Sequence, residues 1–451
     1  VTTMQLPARP APAGARGSQH KAVARTGLYA VLGLNVLIVT ALFLMVPSGN
    51  LLIALGRLMG LYGALAMAFQ LLLVARLPWL DRRLGMDKLT AWHRWVGFTI
   101  FWMLIGHLVF IIFGNAGDEG PVAELVRQAT ELEGILRALV AWAIIMTVGI
   151  VSARFARRKL AYETWHFIHL YTYIAIFLAF LHQIVVGSSF RNSALGTAYW
   201  WGLWGFALGS VLIGRVGLPL YRNWKHQFRV AAVVPESDNV VSVYIEGKDL
   251  DKLPARAGQF FLWRFIAKGR ISSANPFSLS AAPNGKYLRL TAKALGDGSA
   301  GIRDIKVGTR VFAEGPYGAF TAMHQTKPNA LLVAGGVGIT PVRALLEEMQ
   351  GHVVMLYRVS DPNEAVLMRE LQEIAHRKGA VLKLVTGSSK VLTANGPLLG
   401  AQNLAALVPD VMDRDVFVCG PPPMTDAVLA SLAEIGVPEN QVHAERFAMA
   451  S

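Results

Sequence analysis

Four histidines lie inside apolar runs: His93 and His107, fourteen residues apart, and His169 and His182, thirteen apart. In helices those steps are rises of roughly 21 Å and roughly 19.5 Å. Two parallel helices carrying them would bring His93 level with His169 and His107 level with His182. A neutral imidazole is a good axial ligand for iron, and ionisable groups at membrane depth mark functional sites. The pattern predicts two b-type haems, one per pair, with His93, His107, His169 and His182 as the iron ligands. His93 and His107 fall about 40° apart around their helix, but His169 and His182 about 140° apart, so a bulge is expected in the second helix. His166 is a second candidate for the place of His169, and interhelical hydrogen bonding is the plain alternative for any one of the four.

The elements that must carry these histidines are membrane spans. Hydrophobic residues are 53% of the 451, charged residues 16%, against about 25% charged in an ordinary soluble protein. Apolar stretches at about 27–46, 51–75, 92–113, 134–151, 166–186 and 199–218 approach or exceed the ~20 residues that cross a bilayer. Residues 1–26, basic and without acids, read as a disordered tail. A single cysteine, Cys419, excludes internal disulfides and four-cysteine clusters. The basic excess is confined to one half: residues 1–228 carry a net charge of +12, residues 229–451 of +2. Basic clusters lie after the second, fourth and sixth spans, while the 114–134 loop is acidic. The positive-inside rule then places both termini in the cytoplasm of a bacterial-type plasma membrane, with lipid and not nucleic acid as the partner.

From about residue 229 the pattern changes to short strands, at 228–234, 240–246, 258–265 and 286–293, which predict an antiparallel β-barrel reaching to about 323. From 329 strands and helices alternate, with strands at 330–334, 352–358, 380–386 and 415–418 and helices at 341–350 and 363–378. That is the signature of a doubly wound α/β domain. Gly335-Gly-Val-Gly-Ile-Thr-Pro follows its first strand and opens a helix, a turn that lets backbone N–H groups approach a pyrophosphate. Gly335, Gly336, Gly338, Thr340 and Pro341 are its candidate residues. Arg358 and Ser360, after the second strand, are placed to hold a 2′-phosphate, so NADPH is favoured, with NADH possible.

In this order the motifs resemble the ferric reductase/NADPH oxidase superfamily. The resemblance implies a multidomain protein: a six-helix transmembrane bundle for haem at 27–222, an FAD-binding antiparallel β-barrel at 223–325 and a doubly wound α/β NAD(P)H-binding domain at 326–451. Asn275-Pro276-Phe277-Ser278, opening the run Asn275-Pro-Phe-Ser-Leu-Ser, resembles the family's flavin motif, in which Phe277 would lie against the isoalloxazine ring and Ser278 would hydrogen-bond its N5 edge. Asn275 stands where a His or cationic residue is common, so Lys293 with Gly298-Ser299 is expected to meet the pyrophosphate. Cys419-Gly420-Pro421 resembles the motif near the nicotinamide, with Thr340 beside it. Phe447 resembles the aromatic that covers the flavin, and Arg57 the arginine near the outer haem. Trp102, Phe101 and Phe177 are expected between the haems. The implied activity is an NAD(P)H oxidase that passes electrons through FAD and two haems to O2, with a ferric chelate or a protein acceptor as alternatives.

Overall fold

The computed structural model describes residues 13–157, 159–160, 162–268, 270, 274–294, 299, 301–388, 392–393 and 396–446. They form two compact units. One holds Arg25–Leu77 and Asp87–Val216; the other holds Pro78–Met86 and the chain from Gly217 onward, together with the described residues up to Ala24.

The first unit is built on α1 (Ala13–Leu44), α2 (Leu51–Val74), α3 (Met86–Asn115), α4 (Ile135–Ser152), α5 (Tyr162–Val186) and α6 (Ala194–Leu212). All six are long and apolar enough to cross a membrane. Helix α1 takes in residues 13–26 of the expected disordered tail; the rest of that tail, residues 1–12, lies outside the described residues. Ala, Arg, Lys and Gln in that stretch are strong helix formers, and they extend the first span. Asn50 caps α2 by accepting from the N–H of Leu52 and Ile53, which satisfies two otherwise orphaned donors. Trp200 and Trp204 are fully buried in the bundle; Phe190 stacks on Trp200 at 4.6 Å, and Trp200 Nε1 donates to Gln183 Oε1 at 3.1 Å. Trp102 and Phe177, expected between haems, instead lie on the outer surface. In lipid an outward aromatic costs nothing, so apolar character does not say which face is inside. Phe101 does pack inward, where its ring would clash with any side chain at Gly149.

After α6 a π-helical turn, Ile213–Gly217, leads into α7 (Leu218–His226) in the second unit. Asn223 locks α7 to a strand by accepting from Ala313 N and donating to Ala313 O, both at 2.8 Å. Asp81, in the loop helix Pro78–Leu84, is buried and accepts from Gly318 N at 2.7 Å.

Six strands follow: β1 (Arg229–Ser237), β2 (Val240–Glu246), β3 (Phe260–Phe265), β4 (Asn275–Ser278), β5 (Tyr287–Lys293) and β6 (Val311–Tyr317). They make two antiparallel sheets, ordered β1-β2-β5 and β4-β3-β6. Single bridges, Leu279 with Leu290 and Arg229 with Arg310, join the two sheets at both edges. Period-two alternation along β3 buries Phe261, Trp263 and Phe265, each worth roughly 1.5–3 kcal/mol or more on burial.

The last part is a parallel sheet, order β13-β12-β7-β8-β9. Its strands are β7 (Asn329–Gly335), β8 (Val353–Val359), β9 (Val381–Thr386), β12 (Arg414–Gly420) and β13 (Val442–Arg446), with a small hairpin, β10 (Leu392–Thr393) and β11 (Gly396–Pro397), before β12. Helices α8 (Ile339–Glu348), α9 (Met368–Lys378), α10 (Ala401–Leu407) and α11 (Pro422–Ile435) connect them. Helix α9 starts later than expected, because Asp361 accepts from Asn363 N and caps a separate turn at Pro362–Glu364. The chain runs outward from β7 to β9 and then returns to β12, so the crevice at the carboxyl ends of β7 and β12 is the switch point where such sheets bind ligands.

Candidate functional site

In the helical unit the histidines meet in pairs. His93 on α3 and His169 on α5 have ring centroids 6.0 Å apart. A metal-bound imidazole nitrogen sits about 2 Å from its metal, so two rings on opposite faces of one metal have centroids about 6 Å apart. Trp165 stacks on His169 at 5.1 Å, and its Nε1 donates to Ser152 Oγ at 3.2 Å. His166 is exposed. The expected bulge is absent: α5 is α-helical throughout, so the two rings leave it about 140° apart, His169 toward His93 and His182 toward a cavity.

That cavity, about 360 Å³, is lined by both His107 and His182, with Arg57, Gln183 and Trp200 among its walls. The His107 ring is seated by α2. Its Nδ1 lies 2.8 Å from Gly56 O; a carbonyl only accepts, so Nδ1 carries the proton and Nε2 is left as the ligand atom. Gly60 makes room for the ring, since a Cβ there would come within 2.7 Å of His107 Nδ1. Arg57 donates to Val46 O at 2.7 Å and Ser189 Oγ at 2.9 Å, which holds its guanidinium at the cavity wall. The Nδ1 atoms of His93 and His182 are buried as well, with the backbone of Gln70 beside the first imidazole and that of Gly134 beside the second, the side of the ring on which His107 meets Gly56. Among the described residues no cluster of three or more His, Cys, Asp or Glu is arranged for a metal ion; an iron held by a porphyrin needs two axial ligands.

In the second unit the flavin-motif residues form β4, paired with β3. Ser278 is buried and its Oγ has no partner among the described residues. Phe277 is half-buried against the sheet core, and its carbonyl accepts from Trp263 Nε1 at 3.1 Å. Pro276 is exposed and Asn275 half-buried. Ser299 is half-buried; Gly298 and Phe447 lie outside the described residues.

A cavity of about 790 Å³ opens at the carboxyl ends of the parallel strands. Gly335, Gly336, Thr340, Arg358, Ser360 and Pro421 line it, as does Lys293. Gly336 has φ +52, which favours glycine. Gly338, Pro341, Cys419 and Gly420 are buried behind that wall. A Cβ at Gly338 would lie 2.2 Å from Cys419 O, and one at Gly420 2.6 Å from Met424 Cε, so these glycines let strand ends and helix approach. Burial, with the Glu445 charge as a lesser cause, pushes the Cys419 thiol well up; it packs as a small apolar group. The Arg358 guanidinium donates to the carbonyls of Val359 and Gly387. Sequence reasoning missed Asp238 and Asn239 of the β1–β2 turn, and Asp361 and Glu364, which also line the cavity; the Asp-Pro pair after β8 was the available signal.

Two family descriptions match the chain: "Ferric reductase like transmembrane component" at residues 59–180 and "Oxidoreductase NAD-binding domain" at 332–429. Among curated proteins it is similar to a flavohemoprotein of Chromobacterium violaceum, 30% identical over 50% of this chain and 61% of that one. It is also similar to the ferredoxin reductase component of a 3-ketosteroid-9-alpha-monooxygenase of Mycobacterium tuberculosis, 32% identical over 49% of this chain and 65% of that one. The chain thus spans less than two thirds of either relative. Among solved structures, the ferredoxin reductase in carbazole 1,9a-dioxygenase is 23% identical, covering 49% of this chain and 69% of its own, with a TM-score of 0.42. One polypeptide thus joins a ferric-reductase-like transmembrane component to an oxidoreductase NAD-binding domain, which is consistent with the ferric reductase/NADPH oxidase-like superfamily.

Proposed function

We propose that this chain is a transmembrane NAD(P)H oxidase. It takes electrons from cytoplasmic NADPH through FAD and two b-type haems to an acceptor across the membrane, dioxygen giving superoxide. The observation that carries the reading is the pairing of histidines between α3 and α5: His93 against His169 at 6.0 Å, and His107 with His182 on one cavity. Relatives named as a flavohemoprotein and a ferredoxin reductase component support the flavin and nucleotide half. Bound flavin would accept hydride, and bound haem would carry single electrons.

The residues divide the remaining work. Ser278 offers an unpaired hydroxyl to the flavin edge, and Gly336 clears space for the pyrophosphate near the start of α8. Thr340 lines the same cavity. Arg57 supplies fixed positive charge beside the His107/His182 cavity, suited to a propionate. The cavity walls are mostly apolar, which suits the faces of a haem. The Lys/Arg-rich loops put both ends of the bundle on the cytoplasmic side.

The test uses the purified full chain. It should hold two haems and one FAD, and NADPH should drive cytochrome c reduction that superoxide dismutase suppresses. His107→Ala or His182→Ala should remove one haem and abolish superoxide release while NADPH still bleaches the flavin. Two haems surviving in either variant would refute the pairing. Dismutase-insensitive activity that requires a ferric chelate would replace dioxygen as the acceptor.

A further inference from the structure

We propose that Arg289, Glu370 and Arg343 form a positioning clamp, which holds the segment after the flavin motif at a fixed angle to the helix that opens at the glycine turn. The proposal rests on the reading that flavin and nicotinamide meet there. The bonds run in a closed circuit. Arg289 on β5 is buried, and its guanidinium grips Glu370 on α9 through two parallel bonds, Nη1 to Oε1 at 2.7 Å and Nη2 to Oε2 at 2.9 Å. Its other edge binds Ser280, Nε to Oγ at 3.0 Å and Nη2 to the carbonyl at 2.7 Å. Glu370 Oε2 also accepts from Arg343 Nε at 2.9 Å. Arg343 sits on α8, and its Nη1 donates to Glu347 Oε2 at 2.6 Å. That oxygen in turn accepts from Ala282 N at 2.7 Å.

The circuit therefore leaves the chain at Ser280, two residues past Ser278, crosses to α9 and α8, and returns at Ala282. Arg343 lies one helical turn beyond Ile339, where α8 begins. Thr291 Oγ1 donates to Ser280 Oγ at 2.7 Å, and Thr291 itself lines the nucleotide cavity.

Stability is a poor reason for such a network. Buried ion pairs are often matched or bettered by apolar side chains of the same size. What apolar contacts lack is direction, and a two-bond guanidinium–carboxylate fork has it. With both cofactors bound, a hydride would pass from the nicotinamide to the flavin, which would oxidise NADPH to NADP+ and leave both electrons on the flavin. Such a transfer is sensitive to misplacement of the order of 1 Å.

The deciding comparison sets wild type against Arg289→Met/Glu370→Met in the full chain. A clamp predicts a melting temperature and an NADP+ affinity close to wild type, with normal FAD content. It also predicts at least tenfold slower flavin reduction at saturating NADPH, a weaker charge-transfer band, and faster amide hydrogen exchange at 280–282. A double variant with a wild-type reduction rate would overturn the clamp. Should that variant fold poorly, Ser280→Ala keeps every charge and decides alone: several-fold slower reduction supports the clamp, and an unchanged rate rejects it. If NADPH leaves the wild-type flavin oxidised, the functional reading itself fails. Exchange at 280–282 would then still show whether the circuit holds that segment.

Discussion

Gly60→Ala should cost the protein one haem without unfolding it. The new Cβ would sit 2.7 Å from His107 Nδ1 and 2.8 Å from Cε1, where ordinary contact begins at 3.4 Å. The ring must therefore retreat by about 0.7 Å, several times the ~0.2 Å tolerance of a metal–ligand bond. It also loses its bond to Gly56 O, worth about 0.5–1.5 kcal/mol; loss of such a supporting bond lowers metal affinity by about 10- to 100-fold. Stability changes less. Overpacking costs about 1–3 kcal/mol, and alanine regains about 1 kcal/mol over glycine in a helix. Gly63→Ala is the control, because its Cβ would meet Leu104 at an ordinary 3.5 Å. Haem per chain, measured by pyridine haemochrome on protein of known melting temperature, should read about half the wild-type value in Gly60→Ala and the full value in Gly63→Ala. Full occupancy with an unchanged spectrum in Gly60→Ala would show that α2 does not seat the His107 ring.

Two further outcomes are expected. Arg358→Ala should raise the Michaelis constant for NADPH by roughly 10- to 150-fold, the loss of a hydrogen bond to a charged group worth about 1.5–3 kcal/mol, and leave that for NADH little changed; steady-state kinetics with both nucleotides would expose an equal effect. The third concerns acid. Burial works to raise the Glu370 carboxyl, but the Arg289 and Arg343 guanidiniums outweigh it and hold it below its ordinary value. A depressed carboxyl contributes stability fully above its unfolded value of about 4.3, and that contribution is lost as pH falls through the folded value. Melting temperature should therefore drop more steeply below about pH 4.5 in wild type than in Glu370→Gln, and parallel acid limbs would contradict this.

The helices and histidine pattern were legible because their signals are local. Six apolar runs set the spans, and four polar rings within them were conspicuous. The faces of those helices were not legible. Trp102 and Phe177 look like core residues by composition, yet they lie on the outside, because a lipid tail is as good a neighbour for an aromatic as another helix. The bulge expected in α5 came from asking one helix face to serve both haems. The continuous helix shows that His169 and His182 need not share a face. Residues 13–26 were misjudged in the opposite sense: charge and low hydropathy suggested a tail, while alanine-rich propensity carries the helix into them.

The reductase half shows a different limit. Gly335, Gly336, Gly338 and Gly420 belong to recognisable turns, but a motif does not say which glycine faces the ligand. Gly336 stands open on the cavity, while Gly335, Gly338 and Gly420 are needed where Met424 and Cys419 press close. Three of the four serve the chain's own packing. Ser280 makes the same point more sharply. It closes the run Asn275-Pro-Phe-Ser-Leu-Ser, but nothing in that run says what Ser280 holds. Its partners, Arg289, Thr291 and, through Arg289, Glu370, lie 9, 11 and up to 90 residues away. Its importance arises only when sheet pairing and helix docking bring those groups together. The motif points to Ser278, the residue proposed to meet the flavin, whereas the bonds that would aim it begin two residues later.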